Sequence, residues 1–251
     1  METILIDYCD HVAIVKLNHG ITNNLGLQLV RELAEVLQSV KADPDTRSLI
    51  LGSANNKFFS IGFDIPNLYK LSRVDFTAFY QAFNQACLEL YTLPKPTVAA
   101  ITGHATAGGC ILALCCDYRY IAEGRKFMGL NEIKLGVPVP YLADCVLRQI
   151  AGVLNARDAM ESGEFYLPEE LRRMGMVDQV LPLNEVLPES IKKARSLGAS
   201  PREAFAMIKC NRVESVVAQI QAHSAEKEQH FIKCWYSEEA RERLKAAMDK
   251  F

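Results

Sequence analysis

A chain of 251 residues, 49% hydrophobic and 23% charged, has the profile of a globular, enzyme-sized domain with at most an appendage, which excludes disordered, collagen-like and coiled-coil chains. Lys and Arg number 28 against 30 Asp and Glu, a formal charge of -2 that leaves no basic excess for a phosphate backbone or an anionic bilayer. Neither nucleic acid nor a membrane is therefore an expected partner.

The first residues, METILIDYCDHVAIVKL, read as alternating strand rather than as a signal or transit peptide. Val12 to Leu17 is a β-branched strand run, and Leu25 to Val40 carries apolar residues at about 3.6-residue spacing until Asp43-Pro44 stops the helix. Ser48 to Leu51 reads as a buried strand, followed by a polar turn, the Phe58-Phe59-Ser60 segment and a hinge at Gly62. Helical spacing resumes over Phe76 to Leu93 and ends at Pro94-Lys95-Pro96. Then come a strand at Thr97 to Ile101, a glycine-containing loop at Gly103 to Gly109, an apolar helix at Cys110 to Cys116 and a strand at Asp117 to Ala122. From Ala156 onward the segments are mostly helical. They are expected at Asn155 to Ser162, Glu169 to Met174, Leu187 to Leu197, Pro201 to Ala222 and Ser224 to Met248. The alternation predicts an α/β body of repeated ββα or βαβ units with a helical tail.

Eight cysteines, at 9, 87, 110, 115, 116, 145, 210 and 234, include no CxxC pair and fall partly in apolar runs. They read as buried thiols of a reducing compartment, with cytoplasm expected, rather than as zinc ligands or disulfides. The five histidines show no metal-ligand spacing, so no metal is expected. Phosphate-loop, dinucleotide-binding, zinc-peptidase and serine-hydrolase motifs are absent.

Three glycine-bearing segments remain: Phe59-Ser60-Ile61-Gly62-Phe63-Asp64-Ile65, Gly103-His104-Ala105-Thr106-Ala107-Gly108-Gly109-Cys110, and Gly129-Leu130-Asn131-Glu132 running on to Pro138. Glycines that open a helix let a ligand approach free N–H groups, where an anion or oxyanion fits; they also simply permit tight turns. Asp64 is readable as the N-cap of the helix that follows it.

The order and separation of these segments resemble the crotonase (enoyl-CoA hydratase/isomerase) superfamily over nearly the whole chain. The fold this implies is a crotonase-like α/β superhelix of repeated ββα units over residues 1–195, with a C-terminal helical trimerisation region at 196–251. In that family an A-G-x-D segment and a later G-G-C segment each offer one backbone N–H to a thioester oxygen. The resemblance makes Phe63 and Gly108 the oxyanion donors. It also places Asn24, Leu25, Ser60, Ile61, Gly62, Asp64, Ile65 and Gly109 around the substrate, with Ile111, Pro138 and Tyr141 beside its acyl part.

Hydratases of the family carry a glutamate directly after G-G-C and a second about twenty residues on. Here the first position is Ile111 and the second is Glu132. Two carboxylates hold and activate water, whereas one suffices to shuttle a proton. The single-glutamate pattern is most similar to the delta-3, delta-2-enoyl-CoA isomerases, and implies Glu132 as the acid/base with no cofactor, coenzyme A being part of the substrate. Decarboxylation, hydrolysis or hydration of an acyl-CoA, and acyl-CoA binding without turnover, are the alternatives. The segment Leu135-Gly136-Val137-Pro138-Val139-Pro140-Tyr141-Leu142 departs from the hydratase G-x-x-P-G-x-G-G, which implies a different wall to the acyl pocket. A homotrimer or a dimer of trimers is the assembly the resemblance implies.

Overall fold

The computed structural model describes residues 1–248. In chain order its elements are β1 (Ile4–Cys9), β2 (Val12–Leu17), α1 (Leu27–Ala42), β3 (Ser48–Ser53), β4 (Phe58–Ser60), α2 (Ile65–Leu68) and α3 (Arg73–Thr92). These are followed by β5 (Thr97–Ile101), β6 (His104–Thr106), α4 (Gly108–Leu114), β7 (Tyr118–Ala122) and β8 (Met128–Gly129). A 3-10 turn at Glu132–Leu135 precedes α5 (Tyr141–Ser162), β9 (Phe165–Tyr166), α6 (Pro168–Arg173) and β10 (Gln179–Leu181). Helices α7 (Val186–Gly198), α8 (Arg202–Trp235) and α9 (Glu238–Met248) complete the described chain.

Two sheets organise these elements. The larger runs β1-β2-β3-β5-β7-β10, parallel except for the β1–β2 hairpin, and the smaller runs β4-β6-β8-β9. Each repeat lays one strand in the large sheet, the next in the small sheet, and then a helix: β3-β4-α3, β5-β6-α4, β7-β8-α5. This is the ββα superhelix that the resemblance implies. The strand β6 lies inside the segment expected to be loop, and α4 begins at Gly108 rather than at Cys110.

The large sheet is buried on both faces, as continuous apolar strands such as Ser-Leu-Ile-Leu-Gly in β3 require. Side chains alternate across it. Ala13, Val15, Leu49, Leu51, Ala99 and Ile101 join the core shared with α1 and α3, while Val12, Ile14, Ile50, Val98, Ala100 and Tyr120 pack with Val186 and Ala194 of α7. Residue 195, where the core was expected to end, lies inside α7.

Helix α8 has 34 residues and is about 50 Å long at ordinary helical rise. It packs on α5 and α3, and α9 folds back over the Glu132 turn and α2. No helix among the described residues is long and apolar enough to cross a membrane.

Candidate active site

Strands β4 and β6 pair in parallel, so the loops at their C-terminal ends emerge side by side. The first loop is pinned by Leu25, whose N–H donates to Gly62 O (2.8 Å) and whose C=O accepts from Asp64 N (3.1 Å). In such a bridge the N–H of the intervening residue points away from its partner strand. Phe63 N accordingly has no hydrogen-bond partner among the described residues. Gly108 N opens α4 and is likewise unpartnered there.

The two loops meet too closely for side chains. A Cβ at Gly62, whose φ is +94°, would fall 2.8 Å from Gly108 N, and one at Gly109 would fall 2.2 Å from Ser60 O. Between them Ala107 holds φ +48°, ψ -122°, with its N–H bonded to Gly129 O at 2.9 Å. Such a conformation costs an alanine about 1–3 kcal/mol and persists only where surrounding structure imposes it. The result is a pair of neighbouring N–H groups, from Phe63 and Gly108, without acceptors.

Both residues line a cavity of about 920 Å³, together with Asn24, Ile61, Ile65, Ile111, Asn131 and Glu132. Glu132 is 6% exposed, and its Oε2 has no partner; Asn24 Oδ1 and Asn131 Oδ1 are buried acceptors in the same condition. Burial pushes the Glu132 carboxyl up to about 7, against a smaller opposing effect of its own backbone amide and that of Asn131. Among the described residues it is the one carboxylate lining this cavity. Ile111, one helical turn into α4, is 1% exposed and supplies hydrocarbon where a second carboxylate would stand.

The walls are aromatic and aliphatic. The Phe63 ring meets Phe79 and Phe83 edge-on, each at 4.9 Å, and Trp235 at 6.4 Å. Leu135, Val137, Phe231 and Trp235 continue the apolar surface, and Arg243, Ala246 and Ala247 of α9 line another part.

Of the residues expected around a substrate, Asn24, Ile61, Phe63, Ile65, Gly108, Ile111 and Glu132 thus share one cavity. Leu25, Ser60, Gly62, Asp64 and Gly109 shape it from behind: Ser60 Oγ donates to Asn23 O (2.7 Å) and accepts from Gly62 N (3.1 Å). Asp64 occupies the N-cap position of α2, but its side chain accepts from Asn67 Nδ2 (2.6 Å) instead of from the helix backbone. The structure places Pro138 and Tyr141 elsewhere, on a second cavity of about 500 Å³. Phe231, Trp235 and Arg243 are cavity residues that the motifs did not indicate, and Asn131, within the third segment, was given no role there. The Phe231–Trp235 spacing of one helical turn was the available signal for two of them.

The enoyl-CoA hydratase/isomerase family model matches residues 8–251. The mitochondrial enoyl-CoA delta isomerase 1 of Mus musculus is 34% identical over 187 residues, which is 74% of this chain but 63% of that protein, so the match spans under two thirds of that relative. A probable enoyl-CoA hydratase of Mycobacterium leprae is 32% identical over 209 residues, 83% of this chain and 80% of that one. The crystal structure of human mitochondrial delta3-delta2-enoyl-CoA isomerase superposes with a TM-score of 0.95 at 27% identity, covering 99% of this chain and 97% of that one. With the motifs, the ββα superhelix and a match over nearly its whole length in agreement, the chain belongs to the enoyl-CoA hydratase/isomerase family.

Proposed function

We propose that this protein is an enoyl-CoA isomerase, moving the double bond of a 3-enoyl-CoA into conjugation with the thioester. The observation that carries the reading is the lone carboxylate of the cavity, Glu132, buried where Ile111 and the unpartnered amides of Phe63 and Gly108 also line it. Its carboxylate takes a proton from C2, and the electron pair released spreads through the dienolate onto the thioester oxygen. That oxygen accepts hydrogen bonds from Phe63 N and Gly108 N. The proton held by Glu132 then returns at C4, the C2–C3 double bond forms, and the carboxylate is regenerated. No water or metal takes part.

The chemistry suits the site. A carboxyl raised to about 7 is a stronger base than an exposed glutamate and is ionised in a useful fraction at neutral pH. One oxyanion donor is typically worth about 100- to 1000-fold in rate, so the paired amides share the load with the base. The exposed apolar residues Val153 and Leu154 on α5 and Met207 and Ile208 on α8 suit association of copies of the chain.

The test is the rise in ultraviolet absorbance as 3-hexenoyl-CoA becomes conjugated. Glu132→Gln should lower turnover by about 100- to 10,000-fold. Undiminished turnover in that variant would remove Glu132 from the mechanism. Faster hydration of 2-hexenoyl-CoA than isomerisation of 3-hexenoyl-CoA would overturn the isomerase in favour of the hydratase reading, which relatives named as hydratases keep in view.

A further inference from the structure

The chain between the Glu132 turn and α5 has two faces. Val137 and Pro140 line the Glu132 cavity, whereas Pro138 and Val139 line the second cavity, which lies between the start of α5 and the middle of α8. Phe231 lines both and is 2% exposed. Its ring stacks on Tyr80, with centroids 4.1 Å apart and planes 13° apart. Tyr80 lines the second cavity and not the first, and Phe231 is the residue common to both linings among the described residues.

That ring is held on several sides. Tyr80 stacks on Phe76 at 6.2 Å, and Phe76 stacks on Trp235 at 4.3 Å, so the ring of Phe231 is braced by an aromatic block on the sides that do not face the two cavities. The prolines at 138 and 140 fix the backbone beside it. On the Glu132 side the surface leading to Phe231 is hydrocarbon: Ile111, Leu135, Val137 and Trp235. Beyond Phe231 the lining is mixed: Tyr80, Pro138, Val139 and Tyr141 give it apolar and aromatic surface, and Gln219, His223, His230, Lys227 and the Asp144–Arg148 ion pair (2.8 Å) make the rest polar or charged.

We propose that Phe231, braced by Tyr80, is the end wall of the acyl pocket and restricts the thioester to short and medium acyl chains. The cavity behind it is a distal subsite that a longer chain enters only when this side chain is shortened. The proposal rests on the acyl-CoA reading of the Glu132 site. It also accounts for Pro138 and Tyr141, which belong to an acyl pocket only if the wall is breached.

The experiment compares the wild-type chain with Phe231→Ala and the gentler Phe231→Leu, each checked for folding by circular dichroism. Turnover of 3-hexenoyl-, 3-decenoyl- and 3-hexadecenoyl-CoA is measured, and calorimetric affinity for the saturated hexanoyl, decanoyl and hexadecanoyl thioesters is measured below their micelle concentrations. The wild type should favour the six- and ten-carbon chains. In a folded variant the ratio of sixteen- to six-carbon kcat/KM should rise about tenfold or more, the scale on which a pocket discriminates methylenes. A wild type that already prefers sixteen carbons overturns the proposal, as do two folded variants with an unchanged ratio. If no enoyl-CoA is turned over, the isomerase reading fails alone, and the calorimetric chain-length series still decides the wall. Absence of binding by every thioester sinks both.

Discussion

Two carboxylates in this molecule are largely withdrawn from solvent and surrounded in opposite ways. Asp117, where α4 gives way to β7, has a side chain 6% exposed, and it accepts from Thr97 N (2.9 Å), Thr97 Oγ1 (3.0 Å), Lys209 Nζ (2.8 Å) and the Arg212 guanidinium. Glu132, 6% exposed as a whole residue, makes no ion pair among the described residues, and its Oε2 is unpartnered; the cationic Lys134 and Arg243 on the same cavity pair with Glu164 and Glu239 instead. A buried charge left without partners is costly, and folds retain it where the site has a use for it. One carboxylate fastens α8 to the large sheet; the other has no such structural tie and is the group to which the proposed function gives the proton transfer.

The contrast breaks most visibly at Asp117. Lys209 is 2% exposed, and burial already holds its ammonium below the usual lysine range, with Asp117 opposing that effect. Removing the carboxylate in Asp117→Ala strands that cation in the interior. Loss of one partner of a buried pair costs about 3–5 kcal/mol. In a chain of this size that corresponds to a melting temperature lower by roughly 10 °C, read by thermal unfolding. Turnover per folded molecule should be retained, since Asp117 does not line the Glu132 cavity.

Glu132 should behave in the reverse manner. Its folded-state pKa of about 7 lies above the ordinary 4.5, so between those values the native chain binds more protons than the unfolded one. Stability due to this group is therefore fully present below about pH 4.5 and is lost as pH rises through 7, by about 3 kcal/mol. Glu132→Gln carries no such slope. Urea unfolding of both proteins at pH 4.5 and pH 8 should show the variant gaining on the wild type as pH rises, while its isomerase activity is lost. A difference that does not change with pH would mean that Glu132 is solvated in the folded chain.

The division between structural and functional polar groups was only partly legible in the sequence. Val12–Leu17 and Thr97–Ile101 have the bounds their apolar runs indicate, because a strand buried on both faces is written locally in its residues. Phe63, Gly108, Ile111 and Glu132 are placed by the resemblance of their segments to the family, since glycines and spacing alone fit a tight turn equally well. The two-residue strands β8 and β9 exist only through pairing with remote chain and carry no period of their own. Phe231 and Trp235 reach the cavity from α8, some hundred residues beyond Glu132, and their apolar spacing there reads as ordinary core. Pro138 and Tyr141 looked adjacent to Glu132 in sequence, but the chain leading into α5 gives Val137 and Pro140 to the Glu132 cavity and Pro138, Val139 and Tyr141 to the other, with Phe231 on both.

The same contrast recurs at smaller scale in two neighbouring asparagines. Asn23 is fully buried, accepts from His19 N (2.8 Å) and donates to Ser53 Oγ (2.9 Å) and Phe59 O (3.0 Å). Its φ of +50° suits asparagine better than alanine. Asn24 is half-buried, and its Oδ1, on the cavity, has no partner. Asn23→Ala should cost about 2 kcal/mol, from buried groups left unsatisfied and a strained backbone. Asn24→Ala loses no side-chain bond from that oxygen, so its urea midpoint should stay within about 0.5 kcal/mol of the wild type. If that oxygen is kept free for a ligand, KM for an enoyl-CoA should rise several-fold with kcat little changed, the mark of binding shared equally by ground and transition states. An unchanged KM would leave the unpartnered acceptor without a role and confine the functional half of the comparison to Glu132.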